Sequence, residues 1–155
     1  MSTRKFFCLL LAGSVSACGM QNDQKLGGIS CKPPTNLSEL SGLYSAKNIG
    51  INSIGKHIGT STLSINVDVD GVINGTRSWE SQAHSGHTDD GRLTKSHVEK
   101  IIGVVDPFDC EIGLAEYDEP GTYRGRLLPD GAIDIILVQS GTHPVVIRNH
   151  YKKNK

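Results

Sequence analysis

The sequence predicts an all-β protein, a small antiparallel up-and-down β-barrel of about eight strands, with an open sheet or β-sandwich as the alternative. Three observations carry the expectation. Leu63, Ile65, Val67 and Val69 alternate with Ser64, Asn66 and Asp68, the period of a half-buried strand. Turn signals recur at short spacing: Asp70-Gly71, Asp106-Pro107, Glu119-Pro120-Gly121, Pro129-Asp130-Gly131 and Ser140-Gly141. Gly75, Gly103, Gly113 and Gly125 fall inside extended segments, where glycine weakens pairing but permits the sharp bends of a small closed sheet.

The elements follow in order. Arg4 and Lys5 precede an apolar run from Phe6 to Ala12, which is shorter than the about 20 residues needed to cross a bilayer and reads as a removable signal. Residues 18–41 contain Gly27-Gly28 and Pro33-Pro34 among polar neighbours, a composition that suits a flexible tether. The barrel domain is expected over 42–155, opening with a strand at Gly42 to Asn48. Asp70-Gly71 then joins the alternating segment to Val72–Glu80 as a hairpin. Further strands are expected at Val98–Val105, Cys110–Tyr117, Thr122–Leu128, Ala132–Gln139 and Val145–Tyr151. The apolar face should point inward and the outside should be charged, the reverse of a membrane-spanning barrel.

The run ends in Val15-Ser16-Ala17-Cys18, small residues and then a cysteine, and this segment resembles the lipobox of bacterial lipoproteins. The resemblance covers residues 1–19. It implies cleavage after residue 17, acylation of Cys18 and, because Gly19 stands where an inner-membrane retention signal has Asp, lodging in the outer membrane. More than one acyl chain is needed for stable anchoring.

Removal of Arg4 and Lys5 with the signal leaves 14 basic residues against 16 acidic ones, a mature net charge of −2. Without a basic stripe, nucleic acid is excluded as a partner class. Cys8 leaves with the signal and Cys18 carries lipid, so Cys31 and Cys110 remain. In an oxidising envelope they are expected to form a disulfide, the alternatives being two buried thiols or a redox pair without C-x-x-C spacing.

Ser41-Gly42-Leu43-Tyr44, followed by Asp70 to Thr76 and Glu80-Ser81, resembles the opening of avidin-type barrels over residues 41–81. The resemblance implies barrel architecture and no ligand, because avidin-type pockets are lined by several tryptophans and Trp79 is the only one here. The bland role for Trp79 is to plug one barrel end with its N–H on a partner.

His84, His87 and His97 flank Asp89 and Asp90 and are chemically able to hold a metal, although a flexible, solvated polar loop is the favoured reading. No cofactor is expected. Nucleophile-elbow, His-Glu-x-x-His and phosphate-loop motifs are absent from the sequence, and no enzyme is expected. Six acids, Asp106, Asp109, Glu111, Glu116, Asp118 and Glu119, lie in one stretch without a base and form a candidate surface for a basic protein partner. The expectation is a lipid-anchored envelope barrel that binds protein, as an inhibitor or immunity protein for an envelope-targeted enzyme or as an accessory of an envelope complex. The alternative is a carrier of a small apolar ligand inside the barrel.

Overall fold

The computed structural model describes residues 32–82, 86–87 and 93–155, with His87 and Leu93 described by their backbone only. The signal segment with Cys18, and also Cys31 and His84, lie outside the described residues. A short 3-10 turn, η1 (Leu37–Leu40), precedes β1 (Gly42–Asn52), β2 (Gly55–Val67) and β3 (Val72–Ser81). A two-residue pair, β4 (Gly86–His87) and β5 (Leu93–Thr94), leads to β6 (Ser96–Val105), β7 (Glu111–Glu116), β8 (Gly121–Leu127), β9 (Ile133–Gln139) and β10 (Val145–Lys153). All strands except β4 and β5 form one closed antiparallel barrel in which each pairs with its sequence neighbours, and β10 returns to β1. Closure leaves the main sheet without an exposed edge.

Turn chemistry fixes the register. Asp68 Oδ1 accepts from Asp70 N at 3.0 Å and Val72 N at 2.8 Å, while Gly71 takes φ +83°, a left-handed value that favours glycine. A Cβ there would also stand 2.7 Å from the Val105 carbonyl oxygen. Gly75, Gly103 and Gly125 sit where a Cβ would approach a neighbouring strand's carbonyl oxygen to 2.1–2.2 Å, whereas Gly113 faces open space. Three of the four strand glycines therefore permit close backbone approach and the fourth does not.

One end of the barrel is plugged. Asn36 caps η1 by accepting from Ser38 N at 3.1 Å, and Leu37 and Leu40 are buried over Val67, Ile73, Val105, Ile112, Leu127 and Ile133. Tyr44 Oη donates to the Leu40 carbonyl at 2.7 Å, tying the plug to β1. The last residues of the expected tether thus belong to the domain, because two leucines spaced by one 3-10 turn find an apolar socket. Leu63, Ile65, Ile101, Leu114 and Ile135 continue the core above this layer.

Toward the other end the inward positions change character. Along β2 they run Val67, Ile65, Leu63, then Ser61, Gly59, His57, and along β1 Tyr44, Ala46, then Asn48, Gly50, Asn52. Outward positions carry apolar residues in both halves: Ile49, Ile51, Ile54, Ile58, Ile136, Val138 and Val146 are 40–61% exposed on the open-half wall, and Leu43, Val72, Ile102 and Val104 are 43–57% exposed toward the plugged end. The expectation of an apolar inside is therefore correct for the plugged half and fails on the β1, β2, β3 and β6 side of the open half, while the outside carries exposed aliphatic residues in both halves. The polar inner face also explains why β1 and β2 extend well beyond the expected strands: their facing ends carry polar residues inward and isoleucines outward.

Candidate functional site at the open end of the barrel

The mouth is framed by the β1–β2 turn, residues 117–120 and residues 140–144, and it opens into a cleft of about 330 Å3. Leu137, Val145, Ile147 and Pro120 form an apolar wall, while His57, Trp79, Arg77 and Glu99 form the polar wall and floor. This asymmetry follows from the strands: Leu137 on β9 and Val145 and Ile147 on β10 present apolar side chains inward at the mouth, whereas the corresponding stretches of β2, β3 and β6 present His57, Arg77 and Glu99.

Arg77 and Glu99 face each other across the β3–β6 ladder, and the guanidinium Nη1 donates to Glu99 Oε2 at 2.8 Å. The side chains are 2% and 8% exposed, so this ion pair is dry. Trp79 Nε1 donates to Glu99 Oε1 at 2.6 Å, so both carboxylate oxygens are engaged. Glu116 enters from β7. Its Oε1 lies 4.0 Å from Arg77 Nη1 and accepts a short hydrogen bond from Tyr123 Oη. Room for it exists because β8 has Gly121, where a Cβ would collide with the Glu116 carboxylate. Burial and the nearby Glu99 charge push the Glu116 carboxyl up to about 7. Burial raises the Tyr123 phenol above its ordinary range. Burial opposes the Arg77 charge, but Tyr123 and Glu99 outweigh it and its pKa is raised. His57 is lowered by burial and by Arg77, which favours its neutral form.

A second polar group lies on β1, β2 and β10, where Ser61 Oγ is 3.0 Å from Asn149 Oδ1 and 2.9 Å from Tyr151 Oη. Among the described residues, five buried side-chain atoms in this half have no hydrogen-bond partner: Asn48 Nδ2 and Oδ1, Arg77 Nε, Glu116 Oε2 and Asn149 Nδ2. Buried polar atoms are normally satisfied, and each orphan costs about 1–3 kcal/mol.

The six acids of the candidate surface do not form one patch. Asp106 and Asp109 cap the β6–β7 turn at the plugged end, accepting from Phe108 N and Glu111 N, and Glu111 faces outward on β7. Glu116 points into the interior and is not on the surface. Period two sends alternate residues of one acidic stretch to opposite sides, and strand direction carries the others to opposite ends. Only Asp118 and Glu119 reach the mouth. Glu119 Oε2 accepts from Gln139 Nε2 at 2.8 Å, and its Oε1 is 3.9 Å from His97 Nε2. Among the described residues no group of three metal-ligating side chains assembles. The side chains of His84 and His87 lie outside those described, and His97 packs its ring against Trp79 at a centroid distance of 6.4 Å.

Sequence reasoning missed Arg77, Glu99, Tyr123, His57 and Asn48. Their signal is the continuation of strand alternation with polar residues at inward positions, but the Arg77–Glu99 partnership depends on a register set across the 82–95 connection. Trp79 was expected to plug a barrel end and hydrogen-bond; it lines the mouth and is bonded to Glu99. Comparison with protein-family models and with curated proteins finds no match to this chain.

Proposed function

We propose that this chain is an outer-membrane lipoprotein, held through acylated Cys18, whose barrel binds a protein partner at its open end. The observation that carries the reading is the exposed strip of Ile49, Ile51, Ile54, Ile58, Val138 and Val146 on the wall beside the mouth. Contiguous apolar surface rimmed by polar residues is the usual mark of a protein contact site. The first described residues enter at the plugged end, so a lipid tether would attach at the end opposite the mouth. An inhibitor or immunity protein for an envelope-targeted enzyme, or a subunit of an envelope complex, is the class of role such a surface serves. A carrier of an apolar ligand is less well supported, because the lower barrel is filled by Leu, Ile and Val and the cleft floor is an ion pair.

The same reading includes a Cys31–Cys110 bridge, supported by the burial of Cys110 at the plugged end to which η1 brings the chain. Photo-crosslinking tests the binding surface. A photoreactive residue at Ile51 or Thr142 should capture a discrete envelope protein from living cells, while one at Phe108, at the plugged end, should not. Equal capture from both ends, or none from the mouth, refutes the assignment. Cys18→Ser should abolish labelling by a fatty-acid analogue, and undiminished label would remove the lipoprotein reading.

A further inference from the structure

The open-end cleft has a charge and a shape that select its occupant. Its lining carries Arg77 and Glu99, which answer each other, together with two further carboxylates, Asp118 and Glu119, and the imidazoles of His57 and His143. Arg77 is committed to Glu99 at 2.8 Å and has Glu116 at 4.0 Å, so its charge is answered inside the barrel and does not recruit an anion. His57 favours its neutral form and adds no reliable positive charge. An anion entering the mouth would meet Asp118 and Glu119 first, whereas a cation would be drawn toward them.

The opposite wall adds a second requirement. Leu137, Val145, Ile147 and Pro120 offer a continuous apolar face from the rim toward the floor, and the Trp79 ring stands across from it. A bare metal ion would leave that face unused. A cation carried on a short apolar shank would bury its methylenes on the wall and keep its donors for the carboxylates and for Gln139, Ser140 and Thr142. Trp79 lines the same space, and an aromatic ring attracts ammonium and guanidinium groups. The volume, about 330 Å3, lies at the lower end of the roughly 300–1,000 Å3 found for ligand sites and suits one side-chain-sized group.

We propose that the cleft is a receptor for an alkyl cation, an ammonium or guanidinium group on a short apolar chain, supplied by a lysine or arginine that the partner protein inserts into the mouth. This rests on the reading that the open end is the binding end, and it names the chemistry read there. The same chemistry could arrive as a free small amine.

Trp79 is the only tryptophan in the chain and lines the cleft, so its emission reports occupancy directly. The full mature protein is titrated at low salt with n-butylamine, n-butylguanidine and butyrate, and then with the blocked peptide acetyl-Ala-Ala-Lys-Ala-Ala-amide. Both cations should give a saturable change that butyrate does not, and high salt should weaken it. Asp118→Asn, at an exposed turn where folding is undisturbed, should reduce cation affinity about tenfold, and Asp118→Asn with Glu119→Gln by more. Binding of the peptide at a strength like that of butylamine supports an inserted side chain. Binding of free amines alone overturns the protein source. Absence of a saturable response to either cation, or an equal response to butyrate, overturns the proposal. A mouth crosslink retained in that case would leave the binding end standing, so the two readings fail separately.

Discussion

Replacing Glu116 by glutamine should stabilise the protein above neutral pH and do little below pH 5. The carboxyl is pushed from an ordinary 4.5 to about 7, burial being the largest cause and the Glu99 charge the next. A carboxyl raised in this way binds its proton more tightly in the folded chain than in the unfolded one, so the folded state loses stability as pH climbs from 4.5 through 7. At about 1.36 kcal/mol per unit, the full interval corresponds to about 3 kcal/mol as an upper figure. The substituted amide cannot ionise, yet its carbonyl oxygen can still accept from Tyr123 Oη. Urea denaturation of wild type and Glu116→Gln at pH 4.5 and pH 8 isolates the effect as a difference of differences. His57 titrates with the opposite sign: its lowered pKa gives stability present above 6.5 and lost as pH falls, but it contributes equally to both proteins and cancels. The variant's advantage should grow by about 2–3 kcal/mol between the two pH values. An unchanged difference would show that Glu116 titrates normally and would refute the account of a dry carboxyl pair.

Three further substitutions probe the same geometry. Arg77→Ala leaves Glu99 and Glu116 without their cation and should cost about 3–5 kcal/mol in urea denaturation, while a loss under about 1 kcal/mol would mean that water reaches the pair. Gly103→Ala places a Cβ 2.2 Å from the Gly113 carbonyl oxygen and should cost about 1–3 kcal/mol, whereas Gly113→Ala meets nothing and should stay within about 0.5 kcal/mol; equal thermal shifts would remove the close-approach argument. Cys110→Ser in protein isolated from the envelope should cost about 2–5 kcal/mol, and two alkylatable thiols in the wild type would reject the bridge.

The plugged half was legible because burial there obeys the simplest rule. Val67, Leu63 and Ile65 alternate with polar residues, and Asp70-Gly71 marks the hairpin without any knowledge of the partner strand. The open half breaks that rule. Between Ile49 and Ser61 the polar side chains Asn52, His57 and Ser61 turn inward while Ile49, Ile51 and Ile58 turn out, so a reading that seeks an apolar inner face finds no strand. The candidate site was hidden for the same reason. Arg77, Glu99 and Glu116 look like ordinary surface charges until the barrel closes and their three strands direct them to one place. A run of six acids, by contrast, looked like a surface, although alternation and strand direction scatter its members.

Closure of the ring between β1 and β10 has a consequence for how the chain can be cut. Tyr44 pairs with Lys153, Asn154 N donates to the Leu43 carbonyl at 2.8 Å, and Lys153 Nζ reaches the Glu39 carbonyl at 2.6 Å, so the two ends of the domain lie side by side. Every other barrel ladder joins strands that follow one another around the ring, and only this seam unites the distant ends of the polypeptide. A short peptide linker joining the two ends of the domain would close it into a covalent ring. The break could then be moved to the Leu128–Gly131 turn with every ladder retained. In such a permutant the seam becomes a hairpin and the β8–β9 ladder becomes the last to close. The order of assembly would be redistributed around a ring whose final geometry is the same.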